Sequence, residues 1–116
     1  MSCPPQTTVH VGQQLSIVVT WDNTGTNAHA FDVYVEIGTY DGTTHTPIAN
    51  NIVYDVGSSA GQTGIPTEVP LGVIPQNLAG GTYYIMAAIM DYNSASPSNS
   101  VVYDLVECDN AIIISA

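Results

Sequence analysis

From Leu78 to Asp91 the chain reads LAGGTYYIMAAIMD, and past Gly81 both alternating sets of side chains are apolar. Tyr83, Ile85, Ala87 and Ile89 form one set; Tyr84, Met86, Ala88 and Met90 form the other. Successive side chains of a strand leave opposite faces, so a strand with one face in water alternates apolar with polar residues. A strand apolar on both faces needs cover on both. A β core covers the Ile85 side. What covers the Met86 side is the functional question.

The rest of the chain carries the period of two and no helical period. Between Gln14 and Asn23, Leu15, Ile17, Val19 and Trp21 share one face, opposite Ser16, Val18 and Thr20. Phe31, Val33, Val35 and Ile37 alternate with Asp32, Tyr34, Glu36 and Gly38 in a second strand of the same kind. NTGTN at Asn23 to Asn27 reads as a turn, because Asn and Gly tolerate positive φ, and Asp41–Gly42 starts another. A weaker strand is expected around Ile52 to Val56, a loop from Gly57 to Gly64, and an irregular strand from Pro66 to Ile74 with Pro70 placing it on an edge. Pro75 to Gly81 forms the corner into the opening strand. A polar loop with Pro97 follows, then a strand from Ser100 to Val106, a turn at Cys108 to Asn110, and the apolar end AIIISA. Strands at roughly ten-residue spacing predict a single domain, residues 1–116, folded as an all-β Greek-key sandwich of about seven strands, with an open-ended barrel as the other architecture.

Charge narrows the partners. Among 116 residues there are ten Asp and Glu and no Lys or Arg, a formal net charge of −10. No basic patch can be built to neutralise phosphates, which argues against nucleic acid and anionic membrane surfaces as partners. The carboxylates must be solvated, bonded to backbone N–H groups or histidines, or bound to metal. Solubility is the plain reading of the acidity; resistance to trypsin-like proteases outside a cell is the other. MSCPPQTT lacks the basic and apolar regions of a signal peptide, and no apolar run has the length of a transmembrane helix.

The run Val18 to Gly38, VVTWDNTGTNAHAFDVYVEIG, resembles the N-x-G … F-x-V-x-V first half of CARDB-type and related fibronectin III-like domains. LAGGTYYIMAAIMD is similar to their L-x-x-G-x-Y corner and following strand, and ECDN at Glu107 to Asn110 echoes their acidic ending. The resemblance implies an immunoglobulin-like β-sandwich used as an interaction module, often in surface and viral structural proteins, with Tyr83 as a corner tyrosine bonded back to the preceding loop. It implies no catalytic residue, and Thr43 to Gly64 falls outside it.

Candidate chemistry is sparse. His10, His29 and His45 are scattered with no metal-site spacing, and read as exposed or locally bonded. No nucleophile elbow or oxyanion loop accompanies any Ser, so the chain is read as non-enzymatic. Cys3 and Cys108 sit near the two ends; an intramolecular disulfide, two free thiols and a bridge between subunits all stand open. In a sandwich of this topology Asp22, Asn23 and Asn27 fall at the same end as Asp91 and Asn93, hard oxygen ligands of the kind calcium takes, although the same residue types also make ordinary turns. No other cofactor is indicated.

Tyr84, Met86, Ala88 and Met90 are expected beside Tyr34 on one sheet face. Either another subunit covers that face or Thr43 to Gly64 or the C-terminal tail folds over it. Ile112, Ile113 and Ile114 offer a second contact, as a free apolar end able to add a strand to a neighbour's edge. These features predict a structural module of a larger assembly, a homo-oligomer or a capsid or filament lattice, on a virion decorated by it or in an extracellular or cell-surface filament. The alternative is a cell-surface adhesion or carbohydrate-binding module with Tyr40, Tyr92 or Trp21 as its platform; the core parity of Trp21 weighs against that residue.

Overall fold

The computed structural model describes residues 1–116. Seven strands run in the order β1 (Thr7–His10), β2 (Gln14–Trp21), β3 (His29–Tyr40), β4 (His45–Ser58), β5 (Ile65–Val73), β6 (Gly81–Asp91) and β7 (Val101–Ser115), with one short 3-10 turn at Pro97–Asn99. They make two sheets, one of five strands in the order β1-β7-β6-β3-β4 and one of two, β2-β5. The chain is all-β, as its periodicity predicts. The large sheet is mixed, because β1 runs parallel to β7 while its other pairs are antiparallel.

The alternation of each strand decides what faces inward. Along β2 every second residue is buried, from Leu15 to Trp21, and β5 answers with Ile65, Thr67 and Val69. The five-stranded sheet supplies Phe31, Val33, Val35 and Ile37 from β3, Tyr83, Ile85, Ala87 and Ile89 from β6, and Ile112 and Ile114 from β7. Trp21 is wholly enclosed, meets Phe31 edge-on, and its indole N–H donates to Thr67 Oγ1 at 2.9 Å. That bond removes the cost of burying an unpaired donor. The same burial takes Trp21 out of any exposed aromatic platform.

Tyr83 donates its hydroxyl to the carbonyl of Ala79 at 2.6 Å, tying the corner to the strand it feeds. Cys3 and Cys108 are joined within the chain, their Cα atoms 5.8 Å apart and 105 positions apart in sequence. The bridge fastens the N-terminal segment to the middle of β7. Closing a loop of that length contributes about 4 to 5 kcal/mol through unfolded-chain entropy.

Three predicted boundaries move. β4 spans Thr46 to Gly57 and beyond, pairing along nearly the whole of β3, where only Ile52 to Val56 shows a strand pattern. Its side chains are mostly exposed, so backbone pairing rather than side-chain burial makes it a strand. The predicted loop accordingly starts later: Gly57 and Ser58 pair with Ala30 and His29. The predicted turn at Cys108 to Asn110 is a bulge inside one continuous strand. Ile85 opposes Cys108 and Tyr83 opposes Ile112. Asn110 takes the left-handed φ of 54° that lets the extra residues bow out, a conformation Asn tolerates better than other non-glycine residues.

The bulge changes the fate of the C-terminal run. Ile112, Ile113 and Ile114 pair with Tyr83, Thr82 and Gly81 on one side and with Thr7, Thr8 and Val9 on the other. Ile112 and Ile114 are core residues, 0% and 2% exposed. The apolar end is therefore not a free strand awaiting a neighbour. It is held between two strands of its own sheet, and Ile112 and Ile114 answer to the inward face.

Candidate functional site

Directly opposed residues of a sheet share a face, so the register assembles the outer side of the five-stranded sheet. Tyr34 stands opposite Ile52 on β4 and Ala88 on β6. Ala88 in turn opposes Leu105, and Met90 opposes Val102, on β7. Tyr34 thus neighbours the Met86–Met90 set as the sequence predicts. Leu105 and Val102 are half exposed, at 52% and 50%, while Tyr34, Ile52, Met86 and Met90 are half-buried. Tyr54 and Tyr92, ring centroids 6.2 Å apart, extend the apolar surface beyond Met90. At the centre Ala88, between Tyr34 and Leu105, is only 1% exposed.

Two carboxylates shape this face from below. Asp32, only 7% exposed, accepts the N–H of Asp55 at 3.0 Å through Oδ1 and that of Tyr92 at 2.8 Å through Oδ2. Asp55 has a φ of 56°, so the carboxylate serves an N–H that a bulge in β4 has turned out of the ladder. Glu36 accepts the hydroxyl of Tyr34 at 2.8 Å with one oxygen and that of Tyr84 at 2.7 Å with the other. Burial, then the hydrogen bond to Glu36 and its negative charge, push both phenols well above the ordinary tyrosine range. Both remain neutral donors, and one acid fixes two aromatic rings.

Tyr84 differs from the rest of its set. It is 2% exposed, because the tip of the β3–β4 hairpin folds over it. Gly38 permits this: a Cβ there would strike the backbone of Thr46 and Pro47, where the β3–β4 register also slips. Beyond the slip, His45 stacks on Tyr40 with centroids 4.0 Å apart and an interplanar angle of 8°, and meets Tyr84 edge-on at 4.6 Å. Cover from Thr43 to Gly64, the alternative to another subunit, is supplied by His45 over Tyr84. Of the predicted contact residues, Tyr34, Met86 and Met90 remain on the open face, while Tyr84, Ile112 and Ile114 are withdrawn from it and Ile113 is half-buried.

The predicted calcium ligands are spent on local bonds. Asp22 Oδ1 accepts the N–H of Gly64, and Asn93 Oδ1 accepts that of Ser96. Asp91 binds His29 Nε2 at 2.7 Å with one oxygen and the hydroxyl of Tyr103 at 2.6 Å with the other. Burial raises the Asp91 carboxyl, but those two bonds and the charge of His29 outweigh it and hold the group below the usual carboxylate range. Asn23 is buried and donates to Asn27, Ser58 and Ser59 while accepting from Gly25, so it builds its own turn. A groove of about 440 Å³ runs past Asp22, His29, Phe31 and Tyr103.

Sequence reasoning found β6's half of the open face and missed Leu105, Val102 and Ile52. The signal for Leu105 was its place in VVYDLV, but its face follows only from the bulge between Ile89 and Met90 that sets the β6–β7 register. Compared with models of protein families, with curated proteins and with solved structures, the chain matches none.

Proposed function

We propose that this chain is a non-enzymatic structural module that packs into a larger assembly through the outer face of its five-stranded sheet. The observation that carries the reading is the run of exposed or half-buried apolar side chains Tyr34, Ile52, Met90, Val102 and Leu105 over four strands, continued by Met86 between Glu36 and Glu107. Contiguous apolar surface of this kind is what subunit interfaces bury. Each large side chain removed from water contributes on the order of 1.5 to 3 kcal/mol, and the rigid sheet beneath presents them with little ordering cost. The partner is another subunit, foremost a second copy of the chain in a homo-oligomer or a capsid or filament lattice. Virion decoration or an extracellular filament is the setting that fits a disulfide-stapled sandwich without Lys or Arg.

The fold belongs to the same proposal. A Greek-key immunoglobulin-like sandwich of the fibronectin III or CARDB kind is supported by the seven strands in two sheets, the Trp21 core and the Tyr83 corner bond. An adhesion or carbohydrate-binding role is favoured by one observation, the exposed Tyr54–Tyr92 pair, two aromatic rings able to receive an apolar sugar face.

Light scattering across a concentration series tests the choice. Self-association that Leu105→Asp abolishes is the expected result. A chain strictly monomeric at high concentration that binds glycans, and loses them with Tyr92→Ala, overturns it.

A further inference from the structure

Away from the apolar face, three ligating side chains meet at the tip of the β3–β4 hairpin. His45 opens β4 just after the Asp41 turn, where Asp41 Oδ1 accepts the N–H groups of Thr43 and Thr44. Glu107 and Asp109 flank Cys108 on β7. Two apart on a strand, they leave the same face, while Cys108 turns the other way to bridge Cys3. His45 Nε2 lies 2.5 Å from Glu107 Oε1 and 3.7 Å from Asp109 Oδ1, and the three ligating atoms fall within 4.8 Å of one another.

The nitrogen is the informative atom. Nε2 is shielded from solvent and has no aligned hydrogen-bond partner, although it is aimed between two carboxylates. Its ring cannot easily turn away, being stacked on Tyr40 and abutted by the edge of Tyr84. An imidazole nitrogen held rigidly toward two carboxylate oxygens is a donor set for a divalent transition ion. We infer that His45, Glu107 and Asp109 form a three-ligand site for an ion of the zinc class, with water completing the coordination.

Geometry and ligand type agree. Ligand atoms about 2.0 to 2.1 Å from a tetrahedral zinc stand roughly 3.4 Å apart, close to the spacing of His45 and Asp109. Glu107 has a 41% exposed side chain and needs only to swing outward. A mixed nitrogen and oxygen set selects zinc, nickel or copper over calcium and magnesium, which take oxygen alone. The two acids have no Lys or Arg in the chain to neutralise them. A bound ion ties the hairpin tip to β7 directly above Tyr84, so it stabilises the one covered part of the outer face.

Calorimetric titration of the chelator-treated full chain with zinc chloride, paired with melting curves, tests the site. The expected result is one saturable zinc per chain, a melting temperature raised by zinc and lowered again by EDTA, and no rise with calcium. His45→Gln abolishes both signals, and the paired variant Glu107→Gln, Asp109→Asn, which removes two of the three ligands, also abolishes saturable binding. His29→Gln, at the other histidine–carboxylate pair, leaves binding intact. If His45→Gln does not fold by circular dichroism, the Glu107 and Asp109 variants decide. Absence of saturable zinc binding in the parent chain, or binding that survives loss of both carboxylates, overturns the assignment.

Discussion

The two sheets present unlike backs to their surroundings. Behind β2 and β5 the outward residues include Ser16, Val18, Thr20, Pro66, Glu68 and Pro70, with Val18 and, at the end of β5, Val73 as the exposed large apolar side chains. Behind the five-stranded sheet stand Tyr34, Ile52, Met86, Met90, Val102 and Leu105. Their inner faces are equally apolar, so the core does not account for the difference. A β2-type strand is complete once its sheet packs on the other. A β6-type strand keeps a second apolar face, which the proposed assembly would cover. Neither back carries Lys or Arg, so in the proposed assembly the contact would rest on shape and apolar area rather than on paired opposite charges.

The largest expected effect separates the two backs by association. Leu105→Asp removes apolar burial and puts an unpaired carboxylate into the contact, a loss of about 3 kcal/mol or more, or roughly a hundredfold in dissociation constant. Val18→Asp, on the opposite back, leaves association unchanged. Sedimentation of both variants checks this. Because each copy carries a net charge of −10, association of the parent chain also strengthens as salt screens the repulsion between copies. Equal loss in both variants, or weakening by salt, breaks the distinction between the two faces.

Next in size is a stability contrast between one carboxylate on each sheet. Asp32→Ala orphans the N–H groups of Asp55 and Tyr92, which costs about 2 to 3 kcal/mol. Glu68→Ala, at an exposed position of β5, falls within about 0.5 kcal/mol. Urea unfolding midpoints at unchanged slope give both numbers.

That contrast also shows what the sequence discloses. β2, β3 and β6 are legible because burial imposes a period of two, and the bonded hydroxyl of Tyr83 only through the likeness of LAGGTY to an L-x-x-G-x-Y corner. β4 is not, since HTPIANNIVYDVGS is mostly exposed and is recruited by β3's open ladder. Asn110 illustrates the opposite failure: CDN has turn composition, yet β6 pairs with β7 before and after it and keeps it a bulge within one strand. Asp32 reads as a solvent-side residue by parity and is buried because two distant backbone N–H groups converge on it. His45 and Glu107 meet for a like reason. The slip at Gly38 turns the hairpin tip, and the β6–β7 register places Glu107 opposite Met86; no local spacing encodes either.

A smaller effect sharpens the role of Glu36 beneath the apolar face. The folded chain holds Tyr34 and Tyr84 protonated above their ordinary range. Their stabilisation is fully present below the unfolded tyrosine pKa of about 10 and is lost as pH rises from there toward the raised folded values. Alkaline unfolding should therefore begin above about pH 10, with the phenolate absorbance of these two rings appearing together with loss of structure. Glu36→Gln removes the charge that holds the phenols neutral and lets part of the absorbance appear before unfolding. No comparable step belongs to the β2–β5 back, which carries no tyrosine.

The smallest effect lies at the end of the sheet, where Asp91 joins His29 and Tyr103. Its carboxyl is held below the ordinary range, so its contribution is present above the unfolded pKa of about 3.9 and fades as pH falls through the lower folded value. The side chain is 40% exposed, and solvent screening keeps the contribution of such a pair under about 1 kcal/mol. Asp91→Asn should flatten the acid limb of the stability curve slightly while leaving association through Leu105 untouched. Acid unfolding and sedimentation of this one variant thereby separate the polar network at the sheet's end from the apolar surface beside it. If association falls with Asp91→Asn, the contact extends past Met90 to the His29 groove.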